Sequence, residues 1–561
     1  MNVPASTTVS RTGGQVLIDS LRIHGVDTAF CVPGESFLAA IDAFYERQDV
    51  MQLVVCRQEG GAAHMAEAYG KLTGRPGICF VTRGPGATNA SIGIHTARQD
   101  STPLIVFVGQ VARDCFGREA WQEIDYRHMF GHIAKWVEQI DDPRRIPEYI
   151  SRAFHIAMSG RPGPVVLALP EDMLAEQVVV ADAPAYRLAQ AAPSVQAMTE
   201  LNAMLMRAQR PLVLLGGGGW TAEASAQVAT FAQAFQLPVA CAFRRQDLID
   251  NCHDRYIGEA GLGMDPKLAK RIADADLVLA IGPRLGETTT NGYALFDVPR
   301  PRQRLIHVHA DAEELGRVYQ ADLAINAGME PFAMQLAQLP TPADCNWSSW
   351  TEDARTDYLR NLEPTSMPGD VNLAEAVKYL RDTLPADSII TNGAGNYTLW
   401  VQRFYQYRGI RTQLAPTSGT MGYGVPAAIA AKLCHPERTV VCFAGDGCFL
   451  MNGQEMATAV QYGLNVIFIV VNNAMYGSIR MHQERHYPGR VCATDLHNPD
   501  FVTLAHAYGV AGERVERTED FAAAFERAQG AGRPALIELC ISQDAISPRT
   551  TLTALRAQAQ K

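Results

Sequence analysis

Apolar residues in this chain come in short runs, each stopped by a glycine, a proline or a polar pair, and between the runs apolar positions return at helical spacing. That spacing predicts helices over residues 14–24, 60–72 and 87–98. The uninterrupted apolar runs at 28–32, 52–56, 77–82, 104–108 and 165–169 have the length and β-branched content of strands. Strands that lack polar alternation are buried on both faces, so the order of elements predicts a mostly parallel sheet covered by helices.

The pattern recurs twice. After an Ala, Pro and Gln-rich connector at 181–197, runs at 211–215, 277–281 and 305–308 with a helix over 223–235 predict a second α/β domain. A polar, proline-containing stretch over 339–369 is read as its end. Beyond it, a helix over 371–384, strands at 388–391, 439–444, 466–471 and 535–540, and helices over 423–433 and 453–462 predict a third. The expectation is an α/β protein of three domains, 1–185, 186–345 and 346–561, the last with a leading linker.

Composition narrows the class of partner. At 561 residues, 47% of them hydrophobic, the chain can bury several cores. Its 49 Lys and Arg against 59 Asp and Glu give a net charge of -10, which offers no general attraction for nucleic acid. No apolar run approaches the roughly 20 residues needed to cross a bilayer. The opening MNVPASTTVSRTGG also lacks the apolar run of a secretory signal. A soluble, cytoplasmic protein with no membrane or nucleic-acid partner is expected. The 12 Cys include no CxxC pair, which argues against a zinc knuckle or a thioredoxin-like centre and for free thiols.

The sharpest chemical signal lies between residues 440 and 477, VVCFAGDGCFLMNGQEMATAVQYGLNVIFIVVNNAMYG. One apolar strand runs into Gly445-Asp446-Gly447, and a second ends at Asn472-Asn473. If the two strands are parallel neighbours, both polar endings lie at the edge where α/β proteins place ligands. Asp446 offers an anionic oxygen, Asn473 a neutral one and the bent backbone beyond it a carbonyl, a hard donor set suited to Mg²⁺. The glycines let amides approach a phosphate, so a diphosphate held through Mg²⁺ is the ligand that this stretch suggests. No GxxxxGK[ST] segment is present, and Gly216 to Gly219 fail GxGxxG because position 221 is Thr.

With Asp446 and Asn473 27 positions apart, the stretch GDG(x)24NN resembles the signature of thiamine diphosphate enzymes. The resemblance implies Asp446, Asn473 and the Met475 carbonyl as metal ligands, with Gly445, Gly447, Cys448, Tyr476 and Gly477 around the cofactor. It also implies that Gly395 and Asn396 in TNGAGNYTLW contact the diphosphate, that Met421 in TSGTMGYG wedges between the cofactor's rings, and that the Gly419 carbonyl accepts from the 4′-amine. Glu59, in RQEGGAAHMA, matches the Glu that bonds N1′ of the aminopyrimidine. Its carboxylic acid would favour the tautomer able to take the proton of a weak carbon acid, in a site poor in water.

Other segments resemble the acetolactate synthase branch: Gly84-Pro85-Gly86-Ala87-Thr88-Asn89, the pair Gln122-Glu123, and Ser159 to Pro164. His482 stands where that branch carries Trp, and Trp121 where it carries Phe. Gly282 to Thr289 replaces the branch's flavin-associated segment, which speaks against FAD. Catalytic candidates are Glu59, Glu35, Gln122 and His482. Glu35 either handles a substrate proton or caps a helix, and Arg83, Arg480 and His482 are candidates to receive a substrate carboxylate.

The leading reading is an acetolactate synthase-like enzyme that decarboxylates a 2-oxo acid and ligates the product to a second carbonyl compound. The alternatives are a 2-oxo acid decarboxylase or C–C lyase, and a non-catalytic regulatory or assembly protein on the same fold. The resemblance implies a homodimer at minimum and a homotetramer as the expected assembly, since Glu59 and the diphosphate loop belong to different domains. The need for a regulatory subunit is not fixed by these residues.

Overall fold

The computed structural model describes residues 9–342 and 344–560. The chain forms two compact units, Met1–Ala189 and Gln190–Lys561.

The first unit is built on a parallel sheet of six strands: β1 (Thr28–Cys31), β2 (Gln52–Val55), β3 (Gly77–Val81), β4 (Leu104–Gln110), β5 (Trp136–Gln139) and β6 (Pro164–Pro170). Their spatial order is β2-β1-β3-β4-β6-β5. Every residue of β3, β4 and β6 is buried, as expected for apolar runs covered on both faces. Phe80 and Phe107 stack across the β3–β4 pair with centroids 4.7 Å apart.

Helix Gly13–Ile23 begins at a reciprocal cap, where Thr12 accepts the Gln15 N–H and Gln15 accepts the Thr12 N–H. Helix Glu59–Thr73 starts with the Gln58 side chain accepting the Gly61 N–H. It ends where Gly74 takes a left-handed turn at φ 70°. Helix Gly84–Asp100 lies so close to it that a Cβ on Gly93 would sit 2.4 Å from the Ala63 Cβ.

The second unit contains two further six-stranded parallel sheets. The central one comprises β7 (Pro211–Leu215), β8 (Val239–Ala242), β9 (Tyr256–Ala260), β10 (Leu277–Ile281), β11 (Arg304–His309) and β12 (Leu323–Asn326). Its order is β9-β8-β7-β10-β11-β12, a doubly wound arrangement. The last comprises β13 (Ile389–Asn392), β14 (Gln413–Leu414), β15 (Val440–Gly445), β16 (Ile467–Asn472), β17 (Ala511–Val515) and β18 (Ala535–Cys540). Its order, β14-β13-β15-β16-β18-β17, repeats that of the first sheet. The chain thus has three α/β domains, each a parallel sheet flanked by helices.

Residues 339–369 differ from the sequence expectation, because helix Ser348–Asn361 occupies the middle of that polar stretch. Trp347 Nε1 donates to the Phe235 carbonyl at 2.9 Å and Trp350 Nε1 to the Pro211 carbonyl at 3.0 Å, while Tyr358 meets Tyr256 edge to face. A few aromatic anchors bury this helix on the central sheet, and charged residues between them hide its period. Strands β5, β9, β12 and β17 also escaped the pattern, being short and interrupted by polar residues or glycine, as did β8, an apolar run of only four residues. Among the described residues no helix is long and apolar enough to cross a membrane. The cysteines are free thiols, with Cys31, Cys56, Cys79, Cys241, Cys442 and Cys448 buried.

Candidate functional site

β15 and β16 are parallel neighbours, with Gly445 opposite Val471, so Asp446 and Asn473 leave the same edge of the last sheet side by side. From β13 the chain crosses to β14 on one side and then returns to β15 on the other. That reversal opens a crevice beyond the strand ends. A cavity of about 600 Å³ fills it.

Nearly every residue of this region singled out in the sequence lines that cavity. Gly395 and Asn396 follow β13, Gly445, Asp446, Gly447 and Cys448 follow β15, and Asn473, Met475, Tyr476 and Gly477 follow β16. Gly419 and Met421 enter from the loop before helix Gly424–Cys434, and His482 from helix Gly477–His486. Arg480 is absent from the lining. It is committed to Glu484 at 3.0 Å and Asp495 at 3.5 Å, so it is not a free receiver for a substrate carboxylate.

Asp446 is 3% exposed. Burial raises its pKa above the ordinary carboxylate value, against the pull of four donors: Asn498, and the amides of Gly447, Ala474 and Met475. A buried carboxylate in this condition is favoured in its charged form by an adjacent cation. Ala474 takes φ 53°, which turns the chain between Asn473 and Met475, and its N–H is held by Asn472 Oδ1 at 3.0 Å. Among the described residues no three of His, Cys, Asp and Glu gather as a metal cluster. The candidate donors Asp446, Asn473 and the Met475 carbonyl are of another kind: one carboxylate, one amide oxygen and one main-chain carbonyl. This set fits Mg²⁺.

The glycines leave room that other residues would fill. A Cβ on Gly447 would lie 2.6 Å from the Tyr476 ring, and on Gly445 3.0 Å from that of Tyr397. Gly395, at φ 145°, has the same Tyr397 ring 2.9 Å from its missing Cβ. Tyr397 and Asn498 were not recognisable as site residues in the sequence. Tyr397 accepts the Gly393 N–H at 3.1 Å and lies 3.5 Å from Cys448 Sγ. Asn498, in HNPD, had only the weak signal of an Asn before Pro. Phe243, Arg244, Leu262 and Gly263, from the central sheet's loops, also line the cavity and had no signal.

The first unit gathers its own candidates around one segment, 82–89, at the end of β3. Glu35 pairs with Arg83 at 3.1 Å, the Gln122 carbonyl accepts the Gly84 N–H at 3.0 Å, and Asn89 donates to Glu59 at 2.8 Å. A Cβ on Gly86 would stand 3.3 Å from Glu59 Oε1, so the small residue admits the carboxylate. Glu35 makes no helix cap. Arg83 bonds Glu35 and Glu171 together, so its charge is already matched and it is not a free carboxylate receiver. Gln122 sits at φ 64°, in a loop that Glu123 closes by accepting the N–H groups of Gly117 and Ala120 at 2.8 and 3.0 Å.

Three stretches match known families. Residues 11–129 match the thiamine pyrophosphate enzyme N-terminal TPP binding domain, 198–336 the central domain and 393–539 the C-terminal TPP binding domain. The acetolactate synthase large subunit of Parasynechococcus marenigrum (strain WH8102) is 34% identical over 546 residues, covering 94% of this chain and 87% of that protein. That of Corynebacterium glutamicum is 31% identical over 555 residues, covering 95% and 87%. The acetolactate synthase isozyme 2 large subunit of Escherichia coli (strain K12) is 30% identical over 538 residues, covering 95% and 96%. The parallel sheets, the strand-end cavity and these matches together make the chain a member of the thiamine pyrophosphate enzyme family, in its acetolactate synthase-like branch.

Proposed function

We propose that this enzyme, whose class of reaction is thiamine diphosphate-dependent decarboxylation with carboligation, joins two 2-oxo acids or a 2-oxo acid and another carbonyl compound. The observation that carries the proposal is the meeting of buried Asp446 with the 472–475 turn at one end of the strand-end cavity. When bound, thiamine diphosphate supplies an acidic carbon beside a ring cation that takes up the electron pair left by departing CO₂.

The chain's own residues bind, orient and exclude water. Asp446, Asn473 and the Met475 carbonyl hold Mg²⁺, while Gly395, Asn396, Gly445, Gly447, Cys448, Tyr476 and Gly477 form the diphosphate cradle. Gly419 and Met421 hold the rings, a geometric role in which small displacements are expensive. Glu59 shares a proton with the pyrimidine nitrogen. Glu35, Gln122 and His482 face the substrate. Domain boundaries near 185 and 345 and a homodimer at minimum, assembled as a homotetramer, belong to the same reading. So does an FAD-free central domain, supported by Gly282 to Thr289 in place of the flavin-associated segment.

The test is product analysis by mass spectrometry with Mg²⁺ and thiamine diphosphate, using a panel of 2-oxo acids with and without aldehyde acceptors and Glu59→Gln as the control. Acetohydroxy acids formed by the wild type and lost in the control support the proposal. Aldehyde alone would replace it with simple decarboxylation.

A further inference from the structure

Arg244 lies two residues beyond β8 and lines the cavity beside Phe243. It is 4% exposed, and its φ is 58°, a left-handed conformation that a long side chain keeps only when its surroundings hold it there. Two contacts do so. The Arg244 N–H donates to the Glu259 carboxylate on neighbouring β9, and Nη1 donates to the Pro416 carbonyl. The guanidinium also lies over the Phe243 ring, 4.8 Å from its centroid.

The Pro416 carbonyl has a second task. It accepts the Gly419 N–H at 3.1 Å, closing the turn from which Gly419 and Met421 enter the cavity. That turn leads through left-handed Gly419 and Gly422, at φ 68° and 79°, where the backbone has little intrinsic preference. Arg244 therefore bonds the same oxygen that closes the turn.

It does so as the end of a seam. Gln246 N–H donates to Gln413 at 2.8 Å and its side chain to the Gln402 carbonyl at 2.9 Å. Asp247 accepts the Arg411 N–H at 2.8 Å, and Asn251 bonds the Tyr407 backbone in both directions. These contacts anchor residues 402–413 to the central sheet's loop, and Arg244 carries the anchoring on to the turn.

We infer that Arg244 is a positioning residue, which fixes the Pro416 to Gly419 turn and through it the placement of Met421 against the cofactor. The inference rests on reading the cavity as the thiamine diphosphate site. Displacing a group that sets reacting geometry by about 1 Å can cost up to about a hundredfold in rate. The competing role for an arginine in this cavity is direct reception of a substrate carboxylate. The two roles separate experimentally, because a receiver acts on KM and a positioning residue on kcat.

The experiment compares wild type, Arg244→Gln and Arg244→Lys, all as full chains. Amide hydrogen exchange over residues 417–422 is read without cofactor, and kcat and KM for pyruvate are read with Mg²⁺ and thiamine diphosphate. Arg244→Gln should exchange about tenfold faster in that segment and lose about tenfold in kcat, with KM changed less than about twofold. Arg244→Lys, whose ammonium still donates, should recover part of both effects. A large rise in KM with unchanged exchange and kcat would make Arg244 a substrate receiver and overturn the inference, as would no change in either. Failure of the cofactor reading is distinguishable, since the wild type would then not bind thiamine diphosphate, whereas the exchange comparison needs none.

Discussion

Asn498 Nδ2 sits 2.8 Å from Asp446 Oδ2 and 3.0 Å from Asn472 Oδ1, so one amide ties together the ends of β15 and β16. Its own oxygen is buried with no hydrogen-bond partner among the described residues. The contact orients the carboxylate that we assign to Mg²⁺, and a group bonded to a metal ligand typically contributes about 10–100-fold in metal affinity. Asn498→Ala should weaken Mg²⁺ binding by that range and Asp446→Asn should remove it. Calorimetry of thiamine diphosphate binding across a Mg²⁺ titration measures both. An Asn498→Ala protein with the wild-type Mg²⁺ requirement would mean that the other donors suffice to hold Asp446.

Helix Glu59–Thr73 is anchored by a buried ionic cluster. Lys71 pairs with Asp100 and, at 3.2 Å, with Glu67, which also accepts from Thr102 at 2.6 Å. Both carboxylate side chains have no exposed surface. Lys71→Met would remove the charge that Lys71 brings to two buried carboxylates, at a cost of about 3–5 kcal/mol. Denaturant titration at pH 7 should show that loss, and Lys71→Met combined with Asp100→Asn should recover part of it. Equal stability of Lys71→Met and wild type would contradict the pairing.

Glu259 titrates in an accessible range. Burial pushes its carboxyl from the ordinary 4.5 up to about 7, against the bond from the Arg244 N–H and the Arg244 charge. The residue keeps some exposed surface although protein surrounds the carboxyl, and the bond to Arg244 makes the enclosed position the relevant one. A carboxyl raised in the folded state holds its proton more tightly than in the unfolded chain. Its contribution is therefore present below about pH 4.5 and is lost as pH rises toward 7. Glu259→Gln should flatten this part of the stability profile, as read by unfolding midpoints from pH 4.5 to 7.5. A slope unchanged by the substitution would assign it to other groups.

Elements with strong local signals were legible in the chain. Strands such as β4, β7, β10 and β18 stand out because seven, five, five and six residues respectively run with scarcely a polar interruption. Helix Ser348–Asn361 was not, because Trp350, Ala354 and Tyr358 are spread among charged residues and acquire their meaning only against the central sheet. Arg83 and Arg480 were both candidates to receive a substrate carboxylate. Glu171, which pairs with Arg83 from 88 positions away, cannot be read from neighbouring residues, whereas Glu484, the nearer partner of Arg480, stands four residues on along the same helix.

By itself the sequence determined the three-fold alternation of strands and helices and the GDG and NN strand endings, because periodicity and turn chemistry act within a few residues. Only the tertiary structure decided which polar groups meet. Strand order opens the crevice between β13 and β15, and register sets Gly445 opposite Val471. Of two adjacent asparagines, Asn472 at the end of β16 is bonded to Asn498 and Glu538, while Asn473, the first residue past the strand, lines the cavity. Which group each meets depends on pairing between segments far apart in the chain, and no local signal encodes it.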